Sequence, residues 1–370
     1  MDTNTSLFKT TAILLLLAIL GFDMAEARRK VQPTDYDTYK IRDLALIYQG
    51  NNRRLDWTVE DFVPYVSHKF ADGHRDWTFD GFMFLEADNG ADVTFYPSIK
   101  KMGTKADWQW YLDKLFAEGL ALDALDMCID SLKTELGDPG FKHKVVLTIL
   151  IPCLKTENWG EIDGKPIDMS KYDQAALASK WYIDQLVGRF KARKYKNLEL
   201  TGLYWLDEDL CHTFDLPKYI EPIVHGHDLD YIWIPYFNAR GIGSWREQGF
   251  DMVYLQPNYL FDPKISRLRL KDSTDYARGL SIGMELEFDH TSLSDFNDGP
   301  NSYQRLRDYI DWFRESGVWD RSGVAYYTGS KAIKLMAEST NPRDHEIMDE
   351  LFSIIVGRRS NPKLIKKDNH

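Results

Sequence analysis

The feature that most constrains the fold is a regular alternation of short apolar runs with longer segments of helical period. Eight apolar runs occur, at residues 43–49, 79–86, 144–151, 200–206, 230–237, 251–256, 279–288 and 322–327. Most are apolar on both faces, which is typical of buried parallel strands. Eight strands alternating with helices predict an α/β fold of the (β/α)8 TIM-barrel type, and a doubly wound sheet is the alternative.

The segments between these runs carry the helical period. The strongest lie at 105–136, 172–195, 303–316 and 345–356, and weaker ones at 59–69, 216–225 and 265–277. No linker divides the chain, so we expect a single barrel domain over residues 28–357 and a basic, solvated tail at 358–370. The domain has long βα loops at 87–104, 152–171 and 289–302. In a barrel such loops open on the face that carries the active site.

The first 27 residues predict a secretory signal peptide. The apolar run at 11–21 is too short to span a bilayer, and Ala25-Glu26-Ala27 fits a small-x-small cleavage site. We therefore expect a periplasmic or secreted protein with no membrane attachment after cleavage; an uncleaved membrane anchor is the alternative. The formal net charge of −11 argues against a nucleic-acid partner.

Cysteine and histidine residues give no sign of a disulfide framework or a metal centre. Cys128, Cys153 and Cys211 match no zinc spacing, and we interpret them as small buried apolar side chains. The His225-Gly226-His227 pair precedes strand five, so it belongs to the end of the barrel opposite the active site. We expect no metal and no cofactor.

Acidic residues gather at the ends of three predicted strands. Glu86 ends strand two, Glu208 follows strand four, and Glu285 and Glu287 lie in strand seven. Because side chains alternate along a strand, Glu285 and Glu287 share the inward face, and Glu208 shares the parity of Tyr204. Two carboxylates facing one cleft from different strands are what glycoside hydrolysis requires. A structural network with basic groups is the alternative interpretation of these buried acids.

Polar and aromatic side chains at or just after strand ends are candidates for binding a sugar, because rings stack on sugar faces and amides bond to hydroxyls. These candidate substrate contacts are Glu285, Glu86, Gln49, Trp159, Tyr204, Asn238, Gln256, Asn258 and Tyr326. Simple packing is the alternative role for the aromatic residues.

Several long stretches resemble the DUF4855 family of bacterial proteins, which is frequent in Bacteroidetes. They are YQG at 48–50, FDGFMFLE at 79–86, GLYWLDEDL at 202–210, IWIPYFNARGIGSW at 232–245, GFDMVYLQPNYLF at 249–261 and GMELEFD at 283–289. The resemblance implies a barrel similar to retaining glycosidases, which place the general acid on strand four and the nucleophile on strand seven. It thus implies Glu208 as the acid/base and Glu287 as the nucleophile, with Glu285 as the rival for the second role.

The sequence therefore predicts a glycoside hydrolase that acts on a poly- or oligosaccharide through two carboxylates, with retention of configuration. The alternative is a non-catalytic carbohydrate-binding barrel, in which the same carboxylates only accept hydrogen bonds from sugar hydroxyls. A hydrolase for another polymer is a third hypothesis.

Overall fold

All eight apolar runs form strands, and their side chains are buried along most of their length. The computed structural model describes residues 40–97, 101–156, 158–213 and 215–359; the predicted signal peptide lies outside them. The barrel strands are β1 (Asp43–Tyr48), β2 (Gly81–Leu85), β3 (His143–Ile149), β4 (Leu198–Trp205), β5 (Asp230–Trp233), β6 (Met252–Leu255), β7 (Gly283–Glu287) and β8 (Val324–Tyr327).

These strands close a parallel barrel in which each strand pairs with its neighbours in the chain and β8 pairs with β1. Closure places Asp43 opposite Val324, and Leu44 opposite Gly81 on β2. Gly81 allows this approach, because a Cβ there would lie 2.4 Å from a side-chain carbon of Ile41. The predicted (β/α)8 barrel is therefore confirmed.

Helices cover the outside of the barrel. They are α1 (Val59–Val66), α2 (Lys105–Leu115), α3 (Ala121–Leu136), α4 (Tyr172–Arg193), α5 (Leu216–His225), α6 (Leu268–Leu280), α7 (Tyr303–Glu315), α8 (Val318–Arg321), α9 (Ala332–Glu338) and α10 (Pro342–Arg359). Short 3-10 turns lie at Ile242–Ser244 and His290–Ser292, and small two-stranded sheets pair Ser67–Lys69 with Arg75–Trp77, Val93–Thr94 with Lys101–Met102, and Glu161–Ile162 with Lys165–Pro166.

The helix predicted over 105–136 is in fact two helices. The chain turns at Gly119, whose φ of +73° lies in the left-handed region that glycine adopts without strain. The strand predicted to begin at residue 279 begins at Gly283, because α6 runs on to Leu280. The helical period alone revealed neither the turn at Gly119 nor the end of α6.

Arg358, predicted to lie in the solvated tail, is part of the core instead. It lies in α10, is 4% exposed, and its Nε donates to both carboxylate oxygens of Asp43 at 2.9 and 3.1 Å. Its remaining nitrogens donate to backbone carbonyls, among them Ser322 at 2.7 Å. A guanidinium with this many buried acceptors is a structural element of the barrel floor, not a solvated charge.

Candidate active site

A cavity of about 240 Å³ opens among the carboxyl ends of the barrel strands. Leu46, Leu85 and Ile234 supply its apolar wall. Glu208 and Glu285 supply its two carboxyl groups, which arrive from β4 and β7. The structure therefore brings together the acids that the sequence placed on those two strands, at the end of the barrel where active sites lie.

Three tyrosines line the same cavity, Tyr48, Tyr204 and Tyr327. Within the described residues, none of the three hydroxyls has a hydrogen-bond partner. The Tyr48 and Tyr327 rings meet edge to face, with centroids 5.8 Å apart. Tyr48 and Tyr327 were not predicted as site residues. Strand alternation could have found them, since Leu46 and Tyr48 share parity on β1 and Ala325 and Tyr327 share it on β8.

Glu285 is the deeper carboxyl, at 2% exposure. It forms no hydrogen bond and no ion pair with the described part of the chain. Burial raises its pKa well above the ordinary value, and the charges of Glu287 and Glu208 raise it further. A structural network, the alternative interpretation of the buried acids, requires basic partners for Glu285. The structure instead shows a carboxyl group that lines the cavity and has no partner among the described residues.

Glu208 lies just beyond the end of β4, where its side chain is exposed to solvent and lines the cavity. Nearby protein groups still desolvate its carboxyl and raise its pKa, opposed by a hydrogen bond from Gln256. Gln256 in turn accepts from the Asn258 amide at 3.1 Å, and both of these predicted substrate contacts line the cavity. Glu208 is thus held in place by the segment that follows β6.

Glu287 does not reach the cavity, contrary to the prediction that it faces the cleft. Its carboxylate accepts the backbone N–H groups of Asn258 at 3.0 Å, Tyr259 at 2.9 Å and Leu260 at 3.4 Å. The hydroxyl of Tyr309 on α7 donates to it as well. Burial raises the pKa of Glu287 to about 7, and these hydrogen bonds oppose the rise. At the end of the strand the side chain turns away from the barrel axis and onto a neighbouring loop.

Glu86 is fully buried beside the site and does not line the cavity. Arg54 Nε lies 3.5 Å from its carboxylate, and the Arg54 guanidinium lies 4.7 Å from the centre of the Tyr48 ring. Burial raises the pKa of Glu86 to about 7, against the effect of the Arg54 charge. Glu86 supports the wall that carries Tyr48.

Four other predicted substrate contacts lie away from the cavity. The Gln49 side chain bonds to the loop after β1: its amide donates to Asp56 at 2.8 Å, and its oxygen accepts from the Trp57 backbone N–H at 2.9 Å. Trp159 is 1% exposed and packs edge to face on Trp108. Asn238 is exposed, in a turn with φ +66°.

Tyr326, the fourth, faces the helices, and this part of the prediction is wrong. It pairs in register with Leu286, whose parity points outward, and its hydroxyl donates to Asp43 at 2.6 Å. Its neighbour Tyr327 takes the inward position.

Phe261 stands at the cavity edge and was not predicted. Its side chain is 54% exposed, and its ring meets that of Tyr327 edge to face with centroids 5.4 Å apart. An exposed phenylalanine at the edge of a polar cavity is a typical ligand-stacking surface.

Metal and membrane features are absent from the ranges that the structure describes. There, no group of three or more His, Cys, Asp or Glu side chains is placed to hold a metal ion. His225 bonds to Asp251 and Glu221, and His227 to Asp184. Across the same ranges, no helix combines the length and apolarity needed to cross a bilayer. All three cysteines are free.

Comparison with solved structures finds tryptophan synthase α-subunits from Pyrococcus furiosus. One mutant subunit is 10% identical with a TM-score of 0.36, and the subunit from a study of entropic stabilization is 10% identical with a TM-score of 0.37. Each comparison covers 88% of this chain and 100% of the other. Likeness at this level says nothing about activity.

No curated protein matches the chain. The sequence profile of a domain of unknown function, DUF4855, matches residues 43–353, from the start of β1 into α10. That span includes the whole barrel and every residue of the cavity, so the resemblance seen in the sequence is confirmed: the chain belongs to the DUF4855 family.

Proposed function

We propose that this barrel hydrolyses glycosidic bonds, with Glu208 and Glu285 as the two carboxyl groups. The observation that carries the proposal is their convergence, from β4 and β7, in one cavity at the carboxyl end of the barrel. Glu285 replaces Glu287 in this role, because Glu287 is enclosed by backbone amides and lies outside the cavity.

The remaining groups of the cavity support a sugar as the ligand. The hydroxyls of Tyr48, Tyr204 and Tyr327 are without partners among the described residues, so a ligand must satisfy them when it displaces water. Their rings and the apolar wall offer non-polar contact area beside those hydroxyls. A sugar presents this same combination, with hydroxyls around its edge and C–H groups on its faces.

The positions of the two carboxyls suggest their roles in a retaining mechanism. Glu208, nearer to solvent, donates its proton to the glycosidic oxygen as the bond from that oxygen to the anomeric carbon breaks. Glu285, deeper in the cavity, attacks the anomeric carbon and forms a glycosyl ester. Glu208 then takes a proton from water, the water oxygen displaces Glu285 from the anomeric carbon, and both carboxyls return to their starting states.

The mechanism needs one proton on the two carboxyl groups, with Glu208 protonated and Glu285 ionised when the substrate binds. Burial raises the pKa of both groups, and the charges of Glu287 and Glu208 raise that of Glu285 further. Activity should therefore fall at low pH, where both carboxyls are protonated, and at high pH, where both are ionised. We expect a bell-shaped pH profile whose centre lies above about 4.3, the ordinary value for glutamate.

Substitution of each carboxyl tests the proposal. Glu208→Gln should still form the glycosyl-enzyme from aryl glycosides with good leaving groups and fail to do so from those with poor ones, because only the latter need a proton. The glycosyl-enzyme should then accumulate, because its hydrolysis lacks the base that Glu208 supplies. Glu285→Gly should lose activity on both kinds of aryl glycoside, and azide should restore turnover with an inverted glycosyl azide as product. Glu346→Gln, an exposed glutamate on α10, is the matched control and should behave as wild type.

Two outcomes would contradict this function. Wild-type activity in both Glu208→Gln and Glu285→Gly on a confirmed substrate would exclude the pair. Sugar binding by the wild-type protein, without turnover of any glycoside that it binds, would instead establish the carbohydrate-binding barrel.

A further inference from the structure

The charged groups that line the cavity are acidic. Its described lining includes Glu208 and Glu285 but no lysine, arginine or histidine. The nearby cation Arg54 is already engaged, 3.5 Å from Glu86 and over the face of the Tyr48 ring. A carboxylate, sulfate or phosphate on a ligand would therefore lose its water and meet only acids and phenols, which is costly for a charged group.

The size of the cavity restricts how much of a glycan can enter. Its volume of about 240 Å³ lies below the roughly 300–1,000 Å³ of pockets that hold drug-sized ligands. Its lining includes Leu46, Leu85 and Tyr204, which are all buried. One sugar ring fits such a space, and the next ring of a chain must lie outside it.

The edge of the cavity offers a place for that next ring. Phe261 is 54% exposed, and the loop that carries it is fixed by three backbone hydrogen bonds to Glu287. A rigid exposed ring costs little conformational entropy when a ligand stacks on it. The Phe261 ring therefore suits the first sugar beyond the cavity.

From these three observations we infer that the site takes the uncharged sugar at the non-reducing end of a glycan, with the following unit stacked on Phe261. The choice of the non-reducing end rests on the proposed function. Since the bond to be broken joins the anomeric carbon of the enclosed sugar to the rest of the chain, the remainder must leave through the mouth. The protein would then release single sugars from chain ends.

Matched glycosides test the charge preference. The probes are methyl glucoside, galactoside and mannoside, each paired with the uronide that differs only by a carboxylate at C6. Binding is measured by saturation-transfer NMR and calorimetry with the full-chain Glu285→Gln protein. We expect at least one neutral glycoside to bind tenfold or more tightly than its uronide. Equal or stronger binding of the uronides, or no binding by any probe, would overturn the inference.

Longer substrates test where the rest of the glycan lies relative to the cavity. For a neutral sugar that binds, Phe261→Ala should weaken binding of its disaccharide at least fivefold and leave the methyl glycoside unchanged, while Leu268→Ala, an exposed residue on α6, should change neither. Wild-type protein should release only the monosaccharide from a reducing-end-labelled oligosaccharide. Labelled fragments of mixed length at early times would overturn terminal action yet leave hydrolysis intact. Selective binding without cleavage would refute the hydrolase and with it the assignment of the non-reducing end, while the preference for an uncharged sugar would stand.

Discussion

Two glutamates on one strand show that neighbouring groups determine whether a buried carboxyl is available to a ligand. Glu285 and Glu287 share the inward parity of β7, yet Glu287 accepts from three backbone amides and a tyrosine hydroxyl while Glu285 accepts from no described residue. Strand alternation predicted that both face inward. It could not predict which one meets amide groups, because those groups belong to a loop after a different strand. The candidate catalytic pair therefore required the structure.

His143 is a second residue whose surroundings set its charge. It begins β3, is fully buried, and neither ring nitrogen has a hydrogen-bond partner among the described residues. The rings of Trp77 and Phe82 lie 5.8 and 5.9 Å away, centre to centre. Burial therefore lowers the pKa of His143 from 6.5 to about 3.

Replacement of His143 by leucine should stabilise the fold, and more so in acid. The folded pKa lies below the unfolded one, so the wild-type protein loses stability as pH falls from about 6.5 towards 3, and the leucine variant lacks this loss. Its advantage in unfolding free energy should grow by about 2 kcal/mol between pH 7.5 and pH 5. Denaturant titration at both values measures it, with the exposed His74→Gln as control. An advantage that is equal at the two pH values would refute the prediction.

At the scale of elements, the loop after β6 links the buried carboxylate of Glu287 to the candidate active site. Its residues 258–260 converge on Glu287, and Asn258 carries the contact onward to Gln256 and hence to Glu208. The positive φ of Asn258, +51°, turns its backbone N–H towards the same carboxylate as those of the next two residues. One buried acid thereby fixes both a candidate catalytic residue and the Phe261 ring.

Glu287→Gln should loosen this loop without unfolding the barrel. A glutamine amide has one acceptor oxygen, and its NH2 group faces N–H donors that it cannot satisfy. Backbone hydrogen exchange at residues 258–260 should accelerate roughly a hundredfold, equivalent to about 3 kcal/mol for the lost charge-assisted bonds. Tyr309→Phe removes one donor and should have a smaller effect, and Glu346→Gln should have none. Unchanged exchange in Glu287→Gln would show that the loop is held by other contacts.

At the scale of the whole molecule, the closed barrel was predictable, and the buried ion pair that joins its first strand to its last helix was not. Eight apolar runs sufficed for the barrel, because a buried parallel strand must be apolar on both faces. The role of Arg358 was hidden, because a basic residue near a basic tail gives no sign of a partner 315 positions earlier. Tyr326 was misplaced by one position, although its register with Leu286 follows from the same alternation that predicted the strand.

The buried carboxyls should make their largest contribution to the stability of the fold in acidic solution. Glu86 and Asp207 both have pKa values raised by burial to about 7. A folded pKa above the unfolded one means that the folded state holds more protons, so this stability is complete below the unfolded pKa and is lost as pH rises through about 7.

Glu86→Gln isolates this effect from the histidines, which titrate over an overlapping range. Its unfolding free energy relative to wild type should rise by roughly 3 kcal/mol between pH 4.5 and 7.5, since the amide never has to ionise in a buried place. Chemical denaturation across that range measures the difference. A relative stability that stays flat with pH would mean that Arg54 compensates the charge of Glu86 in full.

The buried ion pair between Asp43 on β1 and Arg358 on α10 has a consequence for how the chain is made. Synthesis proceeds from the first strand to the last helix, so the Asp43 carboxylate is produced long before the guanidinium that neutralises it. Until α10 emerges, β1 lacks its counter-ion, and for most of that time it also lacks its neighbour β8. A growing chain therefore holds an open sheet edge and an uncompensated acid, and completion of the barrel awaits one of the last residues of the described fold.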